Sequence, residues 1–225
     1  MNHVRMRTVK AAAAALAGTA VLATAACSSD AEADSPAATA KSVLEVGEPN
    51  PMIAEGVTIG PNAYFYKSSG LGPASGNSAA ESGTPEAYID TEILSGGELP
   101  EGVTVTEAQG IGALRQIRDN LESQGLTLGD VVSMRVFLDA PPGADRADYA
   151  GWNRAYRQFF ANTNLDSGET ELVPMGTGEP AAPLERNEAR PSRFALEVAS
   201  LPVPGWLVEV EVDAVYPEGS EPPMG

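Results

Sequence analysis

The chain has 225 residues, and 14 Lys and Arg against 31 Asp and Glu leave a formal net charge of −17 at pH 7. Its one histidine is His3 and its one cysteine is Cys27, so an intrachain disulfide, a His-dependent catalytic triad and an imidazole-based zinc site are all excluded from the body of the chain. Beyond residue 10 the lysines are Lys41 and Lys67 alone, which leaves no cluster to hold a phosphate backbone and excludes nucleic acid as a partner.

Arg5, Arg7 and Lys10 precede an apolar run from Ala11 to Ala26, the anatomy of a secretory signal over residues 1–27. The run is too short and too Ala-rich for a comfortable membrane span. Thr24-Ala25-Ala26-Cys27 resembles a bacterial lipobox, so Cys27 is expected to carry a lipid that holds an exported protein at the extracytoplasmic side of the membrane; without the lipid it would be secreted. Residues 28–45 are small, polar and Pro-containing and read as a flexible tether to a single domain over residues 46–217.

Val57–Ile59 and Ala63–Ser68 read as two strands of an opening hairpin around the turn triplet Gly60-Pro61-Asn62. Ser69-Gly70-Leu71-Gly72-Pro73 follows, either a loop whose glycine admits a ligand close to the backbone or an ordinary connection. Residues 74–103 are rich in Ser, Gly, Pro and Glu, with an apolar island at Tyr88–Leu94. Thr104-x-x-Glu107 is a capping box, and Ile111, Leu114, Ile117 and Leu121 recur at helical spacing until Gly125. Val131–Leu138 is the next strand. The segment from Asp139 to Asp145 then turns into a second helix, roughly Ala147–Phe160, whose Trp152, Tyr156, Phe159 and Phe160 read as core. A second Gly/Pro/Glu-rich stretch fills residues 161–190, and residues 218–225 read as a disordered tail.

The most informative segment is Arg190–Val215, read as a second hairpin of strands Phe194–Ala199 and Trp206–Val215 closed by Pro204-Gly205. Alternation puts Trp206, Val208, Val210, Val212 and Ala214 on one face and Leu207, Glu209, Glu211, Asp213 and Val215 on the other. The first face needs a core; the second needs water, a partner subunit or a ligand. Arg193, at the mouth of the hairpin, could hold a small organic acid bidentately or pair with Glu209 or Glu211. The element order argues for an α+β domain with two helices on one face of a mixed sheet.

Pro191-Ser192-Arg193, Val198-Ala199-x-Leu201 and Gly205-Trp206-Leu207-Val208-Glu209-Val210-Glu211 resemble the C-terminal signature of the reactive-intermediate imine deaminases, the Rid/YjgF family. Gln109, Ala113, Leu114 and Ile117, and Asn153, Tyr156, Phe159 and Phe160, match its helices. Ser69-Gly70-x-x-Pro73 is similar to its ligand loop, a match that Ser95-Gly96 could also make. The resemblance implies a chorismate-mutase-like fold, a homotrimer with pockets between subunits, and residues 74–103 and 161–190 as insertions. It also implies that Arg193 binds the carboxylate of a 2-imino acid and that Glu209 orients water or moves a proton. Ser69 and Gly70 would line the pocket, with Asn153 as a further substrate-binding candidate. Two departures stand out: the family's Pro-Ala-Arg-Ser reads Pro-Ser-Arg-Phe, and no aromatic stands near Glu55-Gly56, where compact members carry one before the first strand.

With no His and no lysine-rich site, the residues suit a reaction whose nucleophile is water. Hydrolysis of an imine is one, since its carbon is already electrophilic. No cofactor or metal is expected, the products would be a 2-oxo acid and ammonia, and the small-molecule partner is a 2-imino or 2-oxo acid. The alternative from another class is an exported lipoprotein of the same fold that binds a small carboxylate without turnover; a third is a purely structural surface protein. Fold resemblance alone does not separate these.

Overall fold

A computed structural model of the protein describes residues 40–222. The signal segment, Cys27, residues 28–39 of the expected tether and residues 223–225 of the tail lie outside the described residues.

The end of the expected tether is a strand: β1 (Ala40–Val43) pairs antiparallel with β2 (Gly56–Ile59) in a two-stranded sheet. Its composition carries no apolar alternation, so only the partner backbone makes it a strand. The main sheet holds β3 (Phe65–Lys67), β4 (Val131–Leu138), β5 (Ser192–Glu197) and β6 (Val208–Val215) in the order β3-β6-β4-β5. β6 runs antiparallel to both neighbours, and β4 and β5 are parallel, which makes the sheet mixed as expected.

Neither expected hairpin forms. β2 and β3 flank the Gly60-Pro61-Asn62 turn, but β2 joins β1 and β3 joins β6. β5 and β6 likewise do not touch, because β4 lies between them. Period-2 alternation tells which side of a strand is buried and says nothing about which strand lies beside it. β4 buries Met134, Val136 and Leu138 on one side and bonds a neighbour along each edge, so it takes the central place that a C-terminal hairpin would have closed.

Helices α1 (Val105–Glu122) and α2 (Tyr149–Arg157) cover one face of the main sheet. Ile111, Leu114, Ile117 and Leu121 of α1 are fully buried with Val208, Val210, Val212 and Ala214 of β6 in the same core. Gly110 lets the helices close: a β-carbon there would lie 2.8 Å from the methyl of Ala155. The Thr104 hydroxyl accepts from the Glu107 N–H at 3.1 Å, yet the capping box is only half made. The Glu107 side chain, fully buried, instead accepts from Arg154 Nε at 2.8 Å and from the Gly176 N–H at 2.9 Å, tying α1 to α2 and to the 161–190 segment. Buried Gln109 ties α1 to the 74–103 segment and to the approach to β6, donating to the carbonyls of Pro85 and Gly205 and accepting from the Leu207 N–H.

Candidate functional site

Glu209, Glu211 and Asp213 alternate on the face of the sheet away from the helices, since Val208, Val210 and Val212 between them are fully buried. Arg135 stands opposite Glu211 in the β4–β6 register. It donates from Nε to Glu211 at 2.8 Å and takes Asp213 bidentately at 2.8 and 2.9 Å. Lys67 also pairs with Glu211. The hydrogen bonds from Arg135 first and Lys67 second hold the Glu211 carboxyl below its ordinary pKa, and those to Asp213 first and Glu211 second raise the Arg135 guanidinium above its own. Glu209 differs from its two neighbours: among the described residues no Lys or Arg lies within ion-pair distance of it.

The backbone before it explains where its carboxylate sits. β3 runs on past Lys67, with Ser68 N–H donating to the Val212 carbonyl and the Val212 N–H donating to the Ser68 hydroxyl at 2.9 Å. Pairing resumes at Leu71, which exchanges both main-chain bonds with Val210 at 2.9 Å. Ser69 and Gly70 therefore bulge from the strand edge, both exposed. Gly70 rests against Glu209 so closely that a β-carbon would lie 1.9 Å from its Oε1. On the other side Phe137 is the β4 neighbour of Glu209, and Leu196 of β5 follows Phe137.

Arg193 pairs in register with Met134, whose side chain is in the core, so it points to the helix side of the sheet. There Nη2 donates to Asn153 Oδ1 at 2.8 Å, and the guanidinium carbon lies 4.2 Å from the centre of the Tyr156 ring. The expected alternative partners, Glu209 and Glu211, are not within reach of it. Burial lowers the Arg193 pKa, but a guanidinium starts so high that it stays charged. Its Nη1 is enclosed and has no hydrogen-bond acceptor among the described residues. Burial likewise raises the pKa of the Tyr156 phenol.

The candidate residues therefore fall into two groups. Arg193 and Asn153 meet on the helix side beside edge strand β5; Ser69, Gly70 and Glu209 meet on the open side near the opposite edge. One chain does not bring the groups together, and surface clefts of 240 to 480 Å³ lined by other residues include neither Arg193 nor Glu209. Two contributors were not singled out from the sequence. Tyr156 read as core, and only its contact with Arg193 gives it a second role. Arg135 had a visible signal, a cation on the polar phase of an otherwise apolar strand. Among the described residues no group of three or more Asp, Glu, His or Cys side chains is gathered to hold a metal.

The model of one protein family, described as endoribonuclease L-PSP (Ribonuc_L-PSP), matches residues 93–216, so the chain belongs to that family. A comparison with curated proteins finds no match. Among solved structures, a Mycobacterium tuberculosis member of the YjgF/YER057c/UK114 family is 20% identical with a TM-score of 0.36, over 79% of this chain and 99% of its own. The Rid-family protein YyfB of Yersinia pestis is 18% identical with a TM-score of 0.43, over 79% and 99%. E. coli TdcF, crystallised with bound serine, is 21% identical with a TM-score of 0.38, over 78% and 99%.

Proposed function

We propose that the protein hydrolyses reactive 2-imino acids to 2-oxo acids and ammonia at sites completed between copies of the chain in a homotrimer. The observation that carries this reading is the pair of unmatched charges. Arg193 and Glu209 each stand without an ion-pair partner among the described residues, on opposite sides of one sheet, while Glu211 and Asp213 are neutralised by Arg135 and Lys67. A site that uses both needs the β5 edge of one copy against the Ser69–Gly70 edge of the next.

In that site Arg193 takes the substrate carboxylate by charge-assisted hydrogen bonds and holds the C=N carbon near Glu209. The oxygen of a water bonds to that carbon as the C=N π pair moves to nitrogen, and Glu209 accepts one proton of the water and passes it to that nitrogen, which gives a neutral carbinolamine and leaves Glu209 ionised. The carbinolamine hydroxyl then gives up its proton, which the nitrogen takes as the C–N bond breaks, so that ammonia leaves and the oxygen's electron pair closes the C=O of the 2-oxo acid. No electrons change hands, so the reaction asks for no redox cofactor. Ser69 and Gly70 line the Glu209 side. Lipid attachment at Cys27 would put this chemistry outside the cell, where a secreted amino-acid oxidase is the class of reaction able to supply the imine.

The family's description speaks of an endoribonuclease. A net charge of −17 works against the counterion release that drives RNA binding, and the histidine content offers no imidazole acid–base pair. Imine hydrolysis fits these residues better.

The test is competition with semicarbazide for 2-iminopropanoate or 2-iminobutanoate made by an amino-acid oxidase. Wild type should divert the imine from the semicarbazone. Arg193→Ala should lower kcat/KM by on the order of 10–100-fold, since each charge-assisted bond is worth roughly 1.5–3 kcal/mol, and Arg193→Lys should recover little. Glu209→Gln should lower kcat yet leave binding of a 2-oxo acid nearly intact. Binding without diversion by wild type would replace the enzyme with a carboxylate-binding protein, and cleavage of RNA by the pure protein would overturn both.

A further inference from the structure

Arg115, Arg118, Arg135, Arg154 and Arg157 all spend their charge on carboxylates: Asp90, Asp119, Glu211 with Asp213, Glu107 and Glu171 respectively. Arg193 does not, and neither do exposed Arg146 and Arg186 or buried Arg190 among the described residues. Arg190, however, gives its donors to the carbonyls of Pro51, Glu188 and Thr163 and to Asn50 Oδ1, whereas Arg193 keeps an enclosed Nη1 with no acceptor. The two supports of Arg193 are the side-chain carbonyl of Asn153 at 2.8 Å and the face of the Tyr156 ring at 4.2 Å, and both are neutral. The ring is itself held in place. It stacks on Phe160 at 5.3 Å with the planes 8° apart, its hydroxyl donates to the Met52 carbonyl at 2.8 Å, and it is almost completely buried. An aromatic face attracts a cation through its quadrupole without cancelling the charge, and an amide oxygen accepts one N–H without cancelling it either.

We infer that Asn153 and Tyr156 are positioning residues whose neutrality is the point: they fix the Arg193 guanidinium in place while leaving its full charge and its unpartnered Nη1 for an outside carboxylate. The inference rests on the reading of Arg193 as the substrate-carboxylate group and adds how that group is kept available. Asp and Glu outnumber Lys and Arg by 31 to 14 in this chain, so a carboxylate partner for a cation is in abundant supply. An Asp at position 153 would have almost the shape of Asn and would satisfy Arg193 internally, in competition with the substrate.

The test uses the full-length protein with Asn153→Asp, Tyr156→Phe and Tyr156→Leu. It reads the Kd of 2-oxobutanoate by calorimetry, KM and kcat in the semicarbazide assay, the melting temperature, and the ¹⁵N–¹H side-chain resonance of Arg193. Asn153→Asp should raise Kd and KM by about tenfold or more while the melting temperature holds or rises, because a buried cation gains a charged partner. Tyr156→Phe keeps the ring and should stay within about threefold of wild type; Tyr156→Leu should lose about tenfold in Kd and also lose the upfield ring-current shift of the Arg193 protons. Wild-type affinity in Asn153→Asp, or an unchanged Kd and shift in Tyr156→Leu, overturns the inference. If wild type itself binds no 2-oxo acid, the carboxylate reading has failed separately. The resonance then decides the support role alone: a shift that is the same in Phe and Leu variants sinks it.

Discussion

Gly70→Ala is the sharpest test of whether Glu209 acts from the place where the fold holds it. A β-carbon at residue 70 would lie 1.9 Å from Glu209 Oε1 and 2.9 Å from Cδ. An ordinary contact is about 3.5 Å, so the carboxylate oxygen has to retreat by about 1.5 Å. The obstacle is the end of a flexible side chain, and Gly70 does not adopt a positive φ, so the fold can absorb the change. An off-rotamer Glu costs roughly 0.5–1.5 kcal/mol, which for a domain of this size is a fall of only a few degrees in melting temperature. Activity should suffer far more, since a misplacement of about 1 Å at a reacting group can cost about 100-fold. The assay is kcat/KM by semicarbazide competition, run beside thermal melting and 2-oxo acid binding, for Gly70→Ala, Glu209→Gln and the double variant. If both single changes act through one carboxylate, the double variant should be little worse than either. Gly70→Ala with undiminished kcat/KM, or full additivity in the double variant, would refute the assignment of Glu209.

The remaining expectations concern charge, assembly and location. The Glu211 pKa is lowered in the folded protein, so its pairing with Arg135 and Lys67 stabilises the fold above the unfolded carboxylate pKa of about 4.3 and is lost as pH falls through the lower folded value. The melting temperature should therefore drop between about pH 5 and pH 3, and Glu211→Gln should flatten that drop; parallel curves for the two proteins would remove Glu211 as its cause. Light scattering of residues 40–222 should give a trimer, because Phe65, Phe194 and Leu196 stand about half exposed on a sheet face with no covering layer in one chain. A monomer at micromolar concentration would remove the shared site. Cys27→Ser should move the protein from the membrane fraction to the soluble exported fraction, and a wild type already soluble would show that Cys27 carries no lipid.

Much of the fold was legible because its signals are local. The run Ile111, Leu114, Ile117 and Leu121 specifies one buried helix face, and Val208, Val210 and Val212 specify one buried strand face, whatever lies opposite. Arg193, Asn153 and Glu209 could be picked out as candidates because a motif is also a local pattern. Strand adjacency is not local. β3 finds β6 nearly 150 positions away, and β4 slips between β5 and β6, because a central strand must bond neighbours on both edges while its own sequence names neither. The same limit governs the charges. Three carboxylates on one strand look alike in sequence, and only the tertiary arrangement gives Arg135 to Glu211 and Asp213, leaves Glu209 against Gly70, and sets Arg193 on Asn153 and Tyr156. Period and composition determine which side of an element meets the core; the distances that decide which charges cancel exist only once distant segments have packed.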